Sequence, residues 1–213
     1  MTKPIGPICN LDCAYCYYLE KQELYPGKTR FRMPEELLET YIRQYIESQP
    51  GPVVQFAWQG GEPTLMGLGF FRKVVELQEK YLPKGWRCFN ALQTNGTLLT
   101  PQWCEFLRAH EFLVGISIDG PAPLHDHYRL DKKGRPTHAK VMEGLRLLQE
   151  HGVEYNVLCV VSSVNVKHPL EVYRFFKEQG VKHLQFIPLV ERVGGSGVSE
   201  RTVPPLEFGY FLA

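Results

Sequence analysis

The chain has 213 residues, 44% of them apolar and 22% charged, and a net charge of +1 at pH 7. These are globular values, with length enough for one well-buried core, and they exclude a wholly disordered chain. The balanced, scattered charge supplies no basic face for nucleic acid or an anionic membrane, and no apolar stretch reaches the ~18 residues of a membrane span.

The extended run Pro4–Ile8 is expected as the first strand, leading into Cys9-Asn10-Leu11-Asp12-Cys13-Ala14-Tyr15-Cys16. Met1–Ile8 contains a lysine and two prolines but no apolar core of a secretory signal. A cytoplasmic setting follows, in which clustered cysteines serve as ligands and not as disulfides. The spacing Cys-x3-Cys-x2-Cys supplies three thiolates from one loop. A closed zinc site or a fully protein-ligated iron–sulfur cluster wants four, so three leave one metal position open for chemistry. The competing reading is a structural zinc completed by a distant His or Cys, although such sites usually pair two Cys-x2-Cys-like halves. Cys88, Cys104 and Cys159 stand singly in apolar segments and read as small buried hydrophobes.

After the loop, short apolar runs alternate with longer amphipathic ones. Helices are expected over Pro34–Gln49, Leu68–Tyr81, Pro101–His110, Thr137–His151 and Pro169–Gln179. Further strands are expected over Val53–Trp58, Arg87–Leu92, Leu113–Ile118, Tyr155–Val161 and His183–Pro188. In the first helix Leu37, Leu38, Tyr41, Ile42, Tyr45 and Ile46 form one apolar stripe. Pro34, Pro101 and Pro169 suit a helical first turn, and Gly152 and Gly180 suit helix ends.

Six strands and five helices in β-α alternation predict an α/β fold with a parallel sheet, either open and doubly wound or curled toward a barrel. In both, ligands bind at the C-terminal ends of the strands. The cysteine loop, Gln59-Gly60-Gly61-Glu62-Pro63, Gln93-Thr94-Asn95-Gly96, Ser117-Ile118-Asp119-Gly120-Pro121 and Pro188-Leu189-Val190-Glu191 all fall at those ends and read as one shared site. Taken singly, the glycine and asparagine segments are ordinary turns, and Ser117 and Asp119 a helix cap and a turn. Arg129 alone is a solvated arginine, and His125 and His127 are expected to lie exposed in a polar loop. From Gly194 a Gly-Gly-Ser-Gly loop leads to a further helix near Pro205, and an end at Ala213 suggests a fragment.

Cys-x3-Cys-x2-Cys after a first strand, followed by Gly-Gly-Glu-Pro after the second, resembles the radical S-adenosylmethionine superfamily. Within it, Phe56-Ala57-Trp58-Gln59-Gly60-Gly61-Glu62-Pro63-Thr64-Leu65, Leu92-Gln93-Thr94-Asn95-Gly96-Thr97-Leu98 and Val114-Gly115-Ile116-Ser117-Ile118-Asp119-Gly120-Pro121 are similar to the anaerobic sulfatase-maturating enzymes, across essentially the whole chain. The resemblance implies a partial (β/α)6 TIM-like barrel over residues 1–193, with 194–213 a connection toward a cysteine-rich C-terminal domain outside this chain. It implies a [4Fe–4S] cluster on Cys9, Cys13 and Cys16, with S-adenosylmethionine on the open iron. A 5′-deoxyadenosyl radical would then oxidise a cysteine or serine of an unfolded sulfatase polypeptide to formylglycine, with flavodoxin or ferredoxin as electron donor.

The same resemblance implies roles for single residues. Tyr15 would border the adenine. Gly60 and Gly61 would let backbone carbonyls approach the methionine ammonium, and Glu62 would accept from it. Ser117 would meet the ribose or carboxylate, Arg129 would fork onto the carboxylate, and Val190 would pack on the adenine. Gln59, Gln93, Asn95 and Asp119 are candidate substrate contacts. Two auxiliary [4Fe–4S] clusters and a general-base aspartate are expected downstream, since no cysteine follows Cys159. The alternatives are a sister enzyme, such as a thioether-forming peptide maturase, and a non-catalytic iron–sulfur or zinc scaffold.

Overall fold

The computed structural model of the chain describes residues 1–213 except 19, 20, 22, 28, 29 and 196. Five strands, β1 (Val53–Trp58), β2 (Arg87–Thr94), β3 (Leu113–Ser117), β4 (Tyr155–Val161) and β5 (Leu184–Pro188), pair in parallel in the order of the chain. A doubly wound sheet reverses its strand order at a switch point. This one never does, and it curls into a half-barrel. The register Trp58–Leu92, Thr94–Ile116, Ser117–Leu158 and Val161–Pro188 brings the C-terminal ends of the strands to one rim.

The helices are α1 (Glu35–Glu47), α2 (Leu68–Tyr81), α3 (Pro101–Ala109), α4 (Ala122–Tyr128), α5 (His138–Glu150), α6 (Pro169–Glu178) and α7 (Pro205–Leu212). Of the stripe on α1, Leu38, Ile42 and Ile46 are fully buried, whereas Leu37 is exposed. Each such aliphatic burial contributes about 1.5–3 kcal/mol. Alternate strand residues (Val54, Phe56 and Trp58; Val114 and Ile116; Val157, Cys159 and Val161) bury against the helices. The opposite residues line the concave face. Thr100 caps α3 by accepting from the Trp103 amide. Gly152 and Gly180, at φ +63° and +69°, end α5 and α6 in the left-handed conformation that lacks a Cβ penalty.

Three expectations are corrected. Pro4–Ile8 is a pair of turns and not a strand: the amides of Gly6 and Ile8 bond back to Lys3 and Ile5, and Gly6 has φ +60°. Prolines 4 and 7 have no N–H for a ladder. The sixth strand shrinks to Thr2, which bridges Trp58. Residues 122–128 form α4, unforeseen because seven residues carry no measurable apolar period. His125 is fully buried within it. Beyond β5, β6 (Arg192–Val193) pairs antiparallel with β7 (Gly197–Val198). Helix α7 begins at Pro205 as expected and packs Phe211 on Phe186 of β5, with ring centroids 4.9 Å apart.

One polar cluster lies inside the helix–sheet layer. Asn90 Oδ1 accepts from Trp58 Nε1 and Gln78 Nε2, both at 2.9 Å, and Asn90 Nδ2 donates to Gln78 Oε1 at 2.8 Å. Replacing Asn90 by Leu leaves the indole and the Gln78 amide unpaired. We predict a loss of about 2–3 kcal/mol, read as a lower urea midpoint at unchanged slope.

Candidate active site

A cavity of about 480 Å³ opens at the C-terminal rim. Cys9, Cys13, Tyr15, Cys16, Gln59, Gly60, Gly61, Gln93, Asn95, Ser117, Arg129 and Val190 all line it. Glu62 and Asp119 do not; both are buried behind the wall.

The cysteine loop belongs to no sheet, so its backbone groups must find partners elsewhere. The amides of Gly61 and Glu62 donate to the carbonyls of Gly6 and Ile8, each at 2.8 Å. On the other side Asp12 and Ala14 donate to Leu130 and Tyr128 at 2.8 and 2.9 Å. The glycines serve this docking. A Cβ on Gly61 would lie 2.0 Å from the Ile8 carbonyl oxygen, and one on Gly60 would lie 2.8 Å from that of Gly6. The close approach that demands glycine is therefore to the chain's own N-terminal turn.

Glu62 is committed to structure. Its Oε1 accepts from the Thr64 amide (3.0 Å), Thr64 Oγ1 (2.6 Å) and Thr94 Oγ1 (2.8 Å), and its Oε2 from the Asn95 amide (2.7 Å). Complete burial raises its pKa, and these donors oppose the rise. Glu62 thus ties the turn after β1 to the end of β2, and the expected reach into the cavity is absent. Asn95 continues the tie: Nδ2 donates to Asn10 Oδ1 at 2.9 Å and to Cys9 Sγ at 3.6 Å, while Oδ1 accepts from Thr97. That amide orients the cysteine loop and has no group left over for a substrate.

Asp119 is likewise spent. Oδ2 accepts from Tyr15 Oη and from Arg129 Nε (2.8 Å), and Oδ1 from Arg129 Nη2 (3.2 Å) and the Val160 amide (2.9 Å). The guanidinium fork expected for a cofactor carboxylate grips Asp119 instead. Among the described residues Arg129 Nη1 has no partner, and Arg129 lines the cavity. The guanidinium also lies 5.5 Å from the Tyr15 ring centroid. Beneath it, the Asp119 amide donates to His125 Nδ1, and His125 Nε2 pairs with Thr137 Oγ1, which donates to the Arg129 carbonyl. Burial, aided by Arg129, pushes His125 down to about 3, so it stays neutral and can accept that amide.

Across the cavity, Gln93 Nε2 donates to Ser117 Oγ at 3.0 Å, and the Gln93 side chain lies over Gly115, where a Cβ would sit 2.2 Å from its Oε1. Tyr18 Oη reaches Gln59 Oε1 at 3.5 Å. Val190, beyond β5, is 67% exposed. Tyr17 and Tyr18 also line the wall and went unforeseen. Their signal was available, as they are two aromatics directly after Cys16.

Burial pushes the Cys9 thiol up to about 11 and Cys13 to about 12. Metal coordination reverses this by holding the thiolate. Among the described residues no three His, Cys, Asp or Glu side chains converge as ligands of a single ion. Cys9, Cys13 and Cys16 place three thiols on the lining of one cavity, where a closed zinc site wants four ligands.

A parallel half-barrel with three thiols and a polar rim at its C-terminal end defines a core built to hold an incompletely ligated metal cluster. Residues 4–176 match the Radical SAM superfamily, and the chain belongs to it. The superfamily's [4Fe–4S] cluster and S-adenosylmethionine fit these residues. The chain is 51% identical over 193 residues to the serine-type anaerobic sulfatase-maturating enzyme of Bacteroides thetaiotaomicron, covering 91% of this chain and 46% of that protein. It is 41% identical over 216 residues to the cysteine-type anaerobic sulfatase-maturating enzyme of Clostridium perfringens, covering 100% of this chain and 57% of that protein. A solved structure of native anSMEcpe with bound AdoMet and Cp18Cys peptide superposes with a TM-score of 0.89 at 39% identity, over 99% of this chain and 56% of that one. The chain thus spans about half the length of the relatives it matches.

Replacing Gly61 by Ala forces the Ile8 segment away. We predict a loss of stability of about 2 kcal/mol or more and faster proteolysis of the cysteine loop. Gly69→Ala in α2, where a Cβ meets nothing within 4 Å, is expected to be neutral or to stabilise by about 0.5–1 kcal/mol in the same assays.

Proposed function

We propose that this chain is the S-adenosylmethionine-cleaving core of an anaerobic sulfatase-maturating enzyme, which oxidises a cysteine or serine of a sulfatase polypeptide to formylglycine. The observation that carries the reading is the cavity itself: three cysteines with two vacant-edged polar groups, Arg129 and Ser117, around one space at the strand ends. Its relatives' names supply the substrate class. When bound, the [4Fe–4S] cluster supplies one electron for reductive cleavage of S-adenosylmethionine and thereby hydrogen abstraction from a substrate carbon.

In this reading Cys9, Cys13 and Cys16 would hold three irons of the cluster, and the ties of this segment to Gly61, Glu62 and Asn95 hold the three thiols at the cavity. Arg129 offers Nη1 to the methionine carboxylate. Ser117, already accepting from Gln93, still has its own O–H to donate to the ribose or carboxylate. Backbone groups of Gly60 and Gly61 face the ammonium, Tyr15 and Val190 border the adenine, and Glu62 acts only through the loop it braces. Gln59 and Gln93 keep the role of substrate contacts; Asn95 and Asp119 lose it, because their polar atoms are occupied. Residues 160–213 contain no cysteine, so the two auxiliary clusters and the general-base aspartate belong to the length of its relatives that the chain does not span. Residues 1–193 are the core in this scheme. The electron comes from a flavodoxin or ferredoxin in the cytoplasm; among the described residues no helix is long and apolar enough to cross a membrane.

Anaerobic reconstitution is expected to give a brown protein with about one [4Fe–4S] per chain that cleaves S-adenosylmethionine when reduced. A colourless zinc protein without cleavage would sink the reading. Cys13→Ala should lose both colour and cleavage, because two thiolates hold the cluster poorly. With the full-length enzyme, a sulfatase-derived Cys-x-Pro-x-Arg peptide is expected to show the mass of the aldehyde; an unchanged peptide would favour the sister-maturase alternative.

A further inference from the structure

Asp119 is 3% exposed and does not line the cavity, and yet its carboxylate holds two residues that do. It collects four donors: Tyr15 Oη and Arg129 Nε on Oδ2, and Arg129 Nη2 and the Val160 amide on Oδ1. A carboxylate has about four lone-pair sites, so the group is saturated. Those donors come from three separate pieces of chain: the cysteine loop, the residue after α4 and the end of β4. Asp119 itself is fixed on both sides. Its amide donates to His125 Nδ1 and its carbonyl accepts from Asn165 Nδ2, which also donates to the Val160 carbonyl at 2.8 Å.

We propose that Asp119 is the positioning residue of the cofactor cavity. It orients Arg129 and Tyr15 so that the free edge of the guanidinium and one aromatic ring face the cavity in a single arrangement before the ligand arrives. This rests on the reading of the cavity as the S-adenosylmethionine site. Three consequences follow from the geometry. Nε and one N–H of Nη2 are taken, so Arg129 can offer the ligand only the two N–H groups of Nη1 and the second of Nη2, which restricts the approach of an anionic group. The carboxylate also compensates the arginine's charge inside the wall, so an arriving carboxylate meets a neutral pair with its remaining N–H groups directed and not a bare buried cation. Finally, Tyr15 cannot swing with the loop, because its hydroxyl is anchored to the far side of the rim. Preorganisation of this kind strengthens binding by removing the ordering cost that the ligand would otherwise bear.

The test uses cluster-loaded protein and measures S-adenosylmethionine binding at equilibrium, together with the ligand-induced change in the electron paramagnetic resonance spectrum of the reduced cluster. Asp119→Asn keeps the shape but turns an acceptor into a donor facing Arg129 or Tyr15. The expected result is unchanged iron content with binding weakened about 10–100-fold, the range for loss of an outer partner of a ligand-holding residue. A merely structural role predicts lower stability with unchanged affinity per loaded cluster. A double-mutant cycle separates the routes: on an Arg129→Lys background Asp119→Asn should weaken binding by less than about threefold, since the group it acts through is already altered. Should Asp119→Asn fail to load, Tyr15→Phe, which removes one of the four donors and keeps the ring, should still weaken binding about 3–10-fold. Equal affinity in the loaded variants overturns this proposal alone. Wild-type protein that loads a cluster and binds no S-adenosylmethionine overturns the parent reading, and this proposal with it.

Discussion

The site depends on a loop with no regular structure being held against the ends of the sheet. Leu11 of Cys9–Cys16 makes an isolated antiparallel bridge with Asp131, and the loop's position follows from backbone bonds to two other segments: the Gly60–Glu62 turn beyond β1, which holds Gly6 and Ile8 just before it, and the Tyr128–Leu130 stretch beyond α4. The first contact is so close that a single methyl group at Gly61 would occupy the space of the Ile8 carbonyl. The thiols are consequently held where the parallel strands end, which is where this architecture presents ligands.

Charge is arranged around that loop in two sealed units. Glu62 is surrounded by amide and hydroxyl donors, and Asp119 by Arg129, Tyr15 and a strand amide. Each buried carboxylate would be costly unpaired, and each is paired with donors from more than one element, so its burial also fixes how those elements meet. The two differ in what they leave over. Glu62 joins neutral groups and contributes position only, whereas Asp119 holds one edge of the guanidinium of an arginine that lines the cavity.

Most of the architecture was legible because its signals were local. Apolar runs bounded by glycine and proline gave β1 to β5 to within a few residues, and proline and glycine marked the ends of α3, α5 and α6. What escaped had no local signal. Helix α4 is short and stabilised by a buried histidine whose partners, Asp119 and Thr137, come from flanking loops. The first strand was lost to its own prolines. That the three cysteines share one site was legible from their spacing, and the rim residues from their positions after strands. The roles of Glu62, Asn95 and Asp119 were not, because a sequence shows that a polar residue stands at a rim but not whether its hydrogen bonds are already spent.

That distinction narrows what the cavity can recognise. Polar rim residues divide into those satisfied by the protein and those with capacity remaining. The second group is small: Arg129 through its remaining N–H groups, Ser117 through its hydroxyl proton, and the amides of Gln59 and Gln93, beside the thiols and the exposed face of Val190. One cationic donor and one hydroxyl near three thiols suit a ligand that is anionic at one end and binds metal through the same end, as an amino acid's amine and carboxylate do. The neutral amides, which donate and accept equally, suit a polypeptide backbone better than a charged metabolite. The half-barrel thus gathers fixed charge, thiols and uncharged amides on the lining of one cavity.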